Sequence, residues 1–238
     1  MTKLLPRNDD AVSPVVGVML MLVVTIIIAA VVSGFAGGLA GGVQTTPQAS
    51  IQVKTGYGYD TNGVNIDRRN FDISFHHLSG DPIPTRDIDI ITYLTLPNGT
   101  VVENRQSANS QFMLVSNPGA TTQRYARLPF LFDRQNEALS GAIYKTAAEI
   151  DSNDPSSAWF GEYVFQPGQV ARTFKKAGTA AFLGLVDDSD CFPENTAAYE
   201  AACELLDECI QKGSSVDIKW LHKPSGRYIL DTKITLQG

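Results

Sequence analysis

The sequence is poor in the residues that build catalytic and metal-binding sites. Its 238 residues include three cysteines, three histidines and two tryptophans. The histidines, His76, His77 and His222, lack the H-x-x-x-H or Cys/His spacing of a metal site, and no P-loop or G-x-S-x-G motif occurs. The acidic loops at residues 60–67 and 187–190 depart from the calcium-loop pattern, so we interpret them as solvated turns. We therefore expect no catalytic residues, no metal and no cofactor, and hence no enzyme.

Clusters of basic residues are also absent from the chain. It carries 19 Lys and Arg against 25 Asp and Glu, which gives a formal net charge of -6 at pH 7. A protein that binds nucleic acid needs a basic face to neutralise phosphate groups. We therefore expect no nucleic-acid partner.

One long segment near the N-terminus has no charge at all. Between Asp10 and Lys54 no residue is charged, and residues 15–40 are nearly all Val, Ile, Leu, Met, Ala and Gly. Ser13 suits the N-cap and Pro14 the first helical position, so a helix should begin near Ser13. At about 1.5 Å per residue, a helix over residues 15–40 would be about 39 Å long, more than the roughly 30 Å hydrocarbon core of a bilayer. The run is also longer than the apolar region of about 7–15 residues in a secretory signal, so it predicts a spanning helix.

Glycines follow at a spacing of four residues towards the end of this segment. Gly34, Gly38 and Gly42 share one stripe of a helix, and Gly37 and Gly41 share the next. Glycine costs about 1 kcal/mol relative to alanine in a helix interior, but it permits close approach of two helices. We therefore predict that Gly34 and Gly38 pack against neighbouring helices. Gly41 and Gly42 suit either such packing or a flexible linker.

The segment MTKLLPRNDDAVSPVVGVMLMLVVTIIIAAVVSGF resembles the N-terminus of archaeal type IV pilins, with a short polar leader, V-S-P-V-V-G and an unbroken apolar run. Further along, ISFHHLSGDPIPTRDIDI and VDIKWLHKPSGRYILDTKITL are similar to strand segments of that family's head domains. In the family, a prepilin peptidase removes the leader after a small residue, which implies a cut between Ala11 and Val12. Asp10 stands where the family usually has a basic residue. Val16 stands where bacterial type IV pilins have glutamate, as in the archaeal branch.

From Ser50 onward the pattern changes to short alternating segments separated by turns, which is typical of an all-β sandwich. Pro97-Asn98-Gly99 predicts a hairpin with a type I′ turn. Residues 196–212 predict a helix between strands, stopped by Gly213, and residues 135–150 predict a second helix. The predicted fold class is thus α+β, a long N-terminal hydrophobic α-helix followed by a mainly antiparallel, Ig-like β-sandwich head with an inserted helix.

We divide the chain into four segments on these patterns. Residues 1–11 are the predicted leader peptide, and residues 12–42 the hydrophobic helix that lies in the membrane and then in the filament core. Residues 43–49 form a linker, and residues 50–238 an extracellular β-sandwich head.

Asn98-Gly99-Thr100 is the one N-glycosylation sequon in the sequence. It falls at the tip of the predicted hairpin, where a transferase can reach Asn98. The same residues are also those that a tight turn prefers. Both interpretations stay open at this point.

All three cysteines lie close together, at Cys191, Cys203 and Cys209. If residues 196–212 are helical, Cys203 and Cys209 lie about 9 Å apart along the axis, too far for a disulfide. An extracellular head permits a disulfide from Cys191 to Cys203 or to Cys209. The alternative is three reduced thiols, and the odd count leaves at least one thiol without an intrachain partner.

The resemblance implies a structural subunit of an archaeal type IV pilus or a related surface filament that serves adhesion. Its implied partners are membrane lipid, the prepilin peptidase, the pilus assembly machinery and identical subunits that form a helical homo-oligomer. A rival hypothesis is a single-span surface protein that does not polymerise and binds a ligand or partner through its head. A third, an extracytoplasmic enzyme, lacks a recognisable site.

Overall fold

The fold is described from a computed structural model. It describes residues 14–40, 45–59, 66–110, 112–115, 124–132, 145–146, 158–173, 175–186, 192–193 and 197–238. The chain divides into two compact units, Met1–Gln44 and Thr45–Gly238. The first contains one long helix and the second contains the sheets, so the predicted α+β class with a β-rich head is confirmed.

The elements follow one another in a simple order along the chain. Helix α1 (Pro14–Ala40) precedes the strands, a short 3-10 helix spans Thr85–Asp87, and helices α2 (Lys175–Phe182) and α3 (Ala197–Gln211) come late. The described strands are β1 (Ala49–Tyr59), β2 (Ile66–Gly80), β3 (Ile83–Pro84), β4 (Ile88–Thr95), β5 (Val101–Gln106), β6 (Phe112–Val115), β7 (Arg124–Ala126), β8 (Phe130–Phe132), β9 (Lys145–Thr146), β10 (Val164–Phe165), β11 (Val170–Arg172), β12 (Phe192–Pro193), β13 (Ser215–His222) and β14 (Arg227–Thr235).

Two four-stranded antiparallel sheets form the body of the head. The first sheet has the order β1-β2-β11-β8, and the second has the order β14-β13-β4-β5. A small sheet pairs β10 with β3, and a further sheet has the order β12-β6-β7-β9 with β12 parallel to β6. The head is therefore mainly antiparallel, as predicted.

The core lies between the inner faces of the two large sheets. Phe71, Ile73 and Phe75 alternate along β2 and are fully buried, as are Val216, Ile218 and Trp220 on β13. The rings of Phe75 and Trp220 lie 5.1 Å apart, so the two sheets meet through these side chains. Each such burial contributes roughly 1.5–3 kcal/mol before conformational entropy is counted.

Helix α2 packs against the inner face of the second sheet through its C-terminal carbonyl groups. The side chains of Asn104 and Gln106 donate hydrogen bonds to the carbonyl oxygen of Phe182 at 3.0 and 3.2 Å, and Thr92 donates at 3.4 Å. The last carbonyl groups of a helix have no partner within the helix. Three polar side chains on the inner face thereby donate hydrogen bonds to the end of a helix. The sequence did not predict α2, because it has only eight residues.

Helix α3 confirms the predicted helix at residues 196–212. It ends at Gly213, whose φ of +64° places it in the left-handed region. The N–H of Ser214 donates to the carbonyl oxygen of Cys209 at 2.8 Å, and the N–H of Gly213 to that of Ile210 at 3.2 Å. This pair of bonds is the Schellman motif, which explains why glycine stops the helix here.

Two local predictions need correction. The hairpin between β4 and β5 exists, but Asn98 is not among the described residues with positive φ, whereas Gly99 has φ +86°. A type I′ turn requires positive φ at both residues, so the loop is instead a type I turn begun by Pro97 and closed by Gly99. The helix predicted at residues 135–150 does not include Lys145 and Thr146, which form β9 and pair with β7; its other residues lie outside the described part of the chain.

Candidate functional site

Helix α1 is apolar on every side over its whole membrane-length span. Val15–Phe35 has a mean hydropathy of 3.2 and is long and apolar enough to cross a membrane, and none of its most apolar window is buried within the protein. Its large apolar side chains are between 45% and 71% exposed. A helix that is apolar all round is stable only when other apolar groups surround it. The protein itself does not supply those groups in the described residues, so lipid or other chains must.

The polar and small residues of α1 are compatible with either environment. The hydroxyl of Thr25 donates to the carbonyl oxygen of Leu22 at 2.8 Å, so its donor is satisfied within the helix. A Cβ added at Gly17 or Gly34 would meet no heavy atom within 4 Å. Nothing described within the chain therefore requires glycine at these positions, and the space beside Gly34 is open to a partner. Gly38 lies within the bounds of α1.

Residues 10–51 match the sequence profile of the family described as Archaeal Type IV pilin, N-terminal. This segment of the chain is similar to the N-terminal region of archaeal type IV pilins. The match covers α1 and reaches the first residues of β1, and it supports a type IV pilin subunit. No curated protein matches the chain.

The predicted leader and its predicted cleavage site lie outside the described residues. Ala11 and Val12 precede the first described residue, Pro14, so the predicted cut between them remains a prediction. The acidic loops at residues 60–65 and 187–190 also lie outside them. Within the described residues, no group of three His, Cys, Asp or Glu side chains is placed to hold a metal ion.

The sequon residue Asn98 lies at the tip of the β4–β5 hairpin and is exposed. Its Oδ1 accepts a hydrogen bond from the N–H of Thr100 at 2.9 Å, and the N–H of Gly99 donates to the carbonyl oxygen of Leu96 at 2.9 Å. The asparagine side chain thus belongs to the turn and is also accessible. Both interpretations made from the sequence fit this geometry, so glycosylation remains a prediction.

Two of the three cysteines lie on α3. Cys209 is fully buried, and Cys203 is half-buried. Burial raises the pKa of the Cys209 thiol, which favours the protonated form. Their six-residue separation within one helix is too long for a disulfide between them. Cys191 lies outside the described residues, so its pairing with Cys203 or Cys209 stays a prediction.

The three histidines occupy separate structural environments. His77 is buried, with Nδ1 3.2 Å from the carbonyl oxygen of Phe165, while its neighbour His76 lies half-buried on the outer face of the first sheet. His76 and His77 therefore lie on opposite faces of β2. His222 is buried with Nδ1 2.8 Å from Oγ of Ser225. Each of these contacts is explained by local packing and hydrogen bonding.

Sequence analysis missed a group of polar residues on the outer face of the first sheet. Lys54 on β1 and Arg172 on β11 are both paired in register with Ser74 on β2, and His76 lies two residues further along β2. We call the surface formed by Lys54, Ser74, His76 and Arg172 the basic face. Lys54 and Arg172 are far apart in sequence, and β11 has only three residues, so no local pattern could have predicted their proximity.

Proposed function

We propose that this chain is a structural subunit of an archaeal type IV pilus or a related surface filament, inserted as a prepilin and polymerised through α1. The observation that carries the proposal is an uncharged helix, exposed over Val15–Phe35, within a segment that matches archaeal type IV pilin N-termini. We further propose that the mature filament serves adhesion at the cell surface.

The proposed route uses the same helix in two successive environments. Residues 1–11 act as the leader, and the prepilin peptidase cuts between Ala11 and Val12 while residues 12–42 lie in lipid. The helix then enters a bundle of identical helices, while residues 43–49 link it to the extracellular head, residues 50–238. Lipid tails are as apolar as leucine, so this transfer gains little hydrophobic free energy. Side-chain packing, close helix approach at Gly34 and Gly38, and the assembly machinery must supply the preference for the bundle.

Purified surface filaments provide the direct test. We expect electron microscopy to show filaments and mass spectrometry to identify this chain, with Val12 as the mature N-terminus. Replacing Ala11 with a bulky residue should leave uncut precursor in the membrane. A mature chain that keeps Met1, or one that starts beyond Ala36, would favour the rival membrane-anchored protein or a secretory signal.

A second substitution tests the role of the glycine stripe. Gly38→Leu should leave membrane insertion intact, because leucine is favourable in lipid, but should reduce filament yield because its side chain blocks close helix approach. The matched control is Val31→Leu, which changes size within the same apolar helix without filling a glycine position. Normal filament yield from Gly38→Leu would show that the glycines are linker residues.

A further inference from the structure

The basic face brings two cationic side chains and one histidine from three strands to one surface. Lys54 and Arg172 flank Ser74 on opposite sides in the same row of the sheet, so their Cα atoms are separated by two strand spacings, roughly 10 Å. His76 follows in the next row beside Val170. Lys54 is exposed, and no ion pair to it occurs among the described residues. The surface therefore offers one exposed cation and one titratable ring beside a central hydroxyl group.

Arg172 is held in place from two directions. Its Nη2 lies 2.5 Å from Oδ2 of Asp72, and its guanidinium carbon lies 4.8 Å from the ring centre of Phe132. Nη2 is paired with Asp72 and Nε is buried, so the donors that the guanidinium can offer to a carboxylate or sulfate group are those of Nη1. Because the side chain is already ordered, little further conformational entropy is lost when it binds an anion.

The electrostatic balance of the basic face is positive. Burial, and then the two cations Lys54 and Arg172, lower the pKa of His76. Asp72, the acidic group of this face, is buried and paired with Arg172, and burial raises the pKa of its carboxyl group. The chain as a whole has a net charge of -6, so this local excess of cations is contrary to its average composition.

We propose that the basic face binds an acidic polysaccharide through its carboxylate or sulfate groups. Lys54 and Arg172 contact the anionic groups, and Ser74 and Gln52, which is exposed beside His76, hydrogen-bond sugar hydroxyls. The inference rests on the surface location that the proposed function gives the head, and it names the class of ligand for adhesion. It does not require polymerisation.

A glycan fits this surface better than a protein partner does. A stable protein interface buries about 800 Å² per partner around an apolar core. The apolar residues at the basic face are Phe132, which is 38% exposed, and the half-buried Val170. A linear sugar chain needs only a narrow row of charges and hydroxyl groups, which the strand register supplies.

The test uses the full chain solubilised in detergent, so that binding is measured without filament assembly. The probe is oligogalacturonate, and its methyl ester is the control ligand because it has the same sugars without the charge. We expect calorimetry to show binding of oligogalacturonate that weakens with salt, and much weaker binding of the ester. Lys54→Glu should weaken binding about tenfold, because an exposed cation is replaced by an anion.

Lys233→Glu is the matched variant control. Lys233 is exposed on the second sheet and pairs with Asp217 at 3.6 Å, so the change in net charge is identical but the position is outside the basic face. Arg172→Gln provides a second variant, and its melting temperature shows whether any loss of binding comes from unfolding. We expect Lys233→Glu to keep the original affinity.

Three results would overturn the proposal. They are no binding of oligogalacturonate at low salt, an equal loss from Lys54→Glu and Lys233→Glu, and binding of poly-L-glutamate as tight as that of oligogalacturonate. The last would identify an acidic peptide as the ligand. Both proposals would be supported if Lys54→Glu forms normal filaments but no longer binds oligogalacturonate. Failure of the original chain to form filaments would contradict the proposed function and leave the binding proposal standing.

Discussion

Helix α1 and the head place their apolar side chains in opposite environments. None of the most apolar window of Val15–Phe35 is buried inside the protein, whereas Phe75 and Trp220 in the head are fully buried. The head buries its own apolar side chains between two sheets. The helix must obtain the same protection from lipid or from other chains. Stability of the head is thus an intramolecular property, and stability of α1 depends on what surrounds it.

The largest contrast should come from removing one aromatic ring in each region. Phe75→Ala should cost about 3–5 kcal/mol, because the ring contacts Trp220 at 5.1 Å and Phe182 at 5.8 Å and its removal leaves a cavity. Phe35→Ala, at a position that is 70% exposed, should leave head unfolding unchanged. Thermal unfolding by near-ultraviolet circular dichroism measures both. Equal melting temperatures for the two variants would show that packing of Phe75 within the head does not stabilise it.

Adding a charge at two equally exposed positions sharpens the comparison. Ile27 in α1 is 56% exposed and Val101 on β5 is 55% exposed. Ile27→Lys should disfavour membrane insertion by about 2.5–3.5 kcal/mol, because a lysine at mid-helix lies in hydrocarbon. Val101→Lys should have little effect, because its side chain faces water. Membrane fractionation compares them, and unimpaired insertion of Ile27→Lys would show that α1 does not span.

The cysteines test whether the head needs a covalent link as well as its core. Linking Cys191 to Cys203 or Cys209 closes a loop that should contribute on the order of 3 kcal/mol, so reduction should lower the melting temperature of the head. Insertion of α1, which has no cysteine, should be unaffected. Non-reducing peptide mapping identifies the pair. Three free thiols would remove this contribution, and a Cys203–Cys209 link would contradict the helix α3.

The smallest expected effect is a dependence on pH that is confined to the head. The folded head lowers the pKa of His76 from its ordinary value of 6.5, so the neutral ring is favoured in the folded state. Its contribution to stability is therefore present above pH 6.5 and is lost as the pH falls through the lowered pKa. The charged groups that face His76 are Lys54 on β1, Asp72 on β2 and Arg172 on β11.

His76→Gln isolates this effect from the other histidines. Between neutral and mildly acidic pH, we expect the melting temperature of this variant to fall slightly less than that of the original chain. Oligogalacturonate binding to the original chain should change in the opposite direction and strengthen as His76 gains its proton. Residues 15–35 contain no titratable side chain, so insertion of α1 should not depend on pH over this range. An identical pH profile in the His76→Gln variant would contradict the assignment.

Several parts of this fold could be predicted from local sequence alone. The apolar run of α1, the alternation along β2 and β13, and the helix α3 with its stop at Gly213 each depend on residues that are close together in the chain. The last hairpin, β13 and β14, needs only a turn between two alternating segments. Helix α2 was not predicted, because its position depends on residues that are distant in the chain. Its position depends on Thr92, Asn104 and Gln106, which come from two distant strands and bond to its last carbonyl groups.

The amino-acid sequence by itself determined that one end of this protein belongs in an apolar environment and that the remainder forms a β-rich head. Hydrophobic periodicity and helix-stop residues act over a few neighbouring positions, so they can be read along the chain. Only the tertiary structure decided that Lys54, His76 and Arg172 share one surface. Strand pairing between distant segments sets that proximity, and the register that aligns both cations with Ser74 depends on packing of the whole sheet.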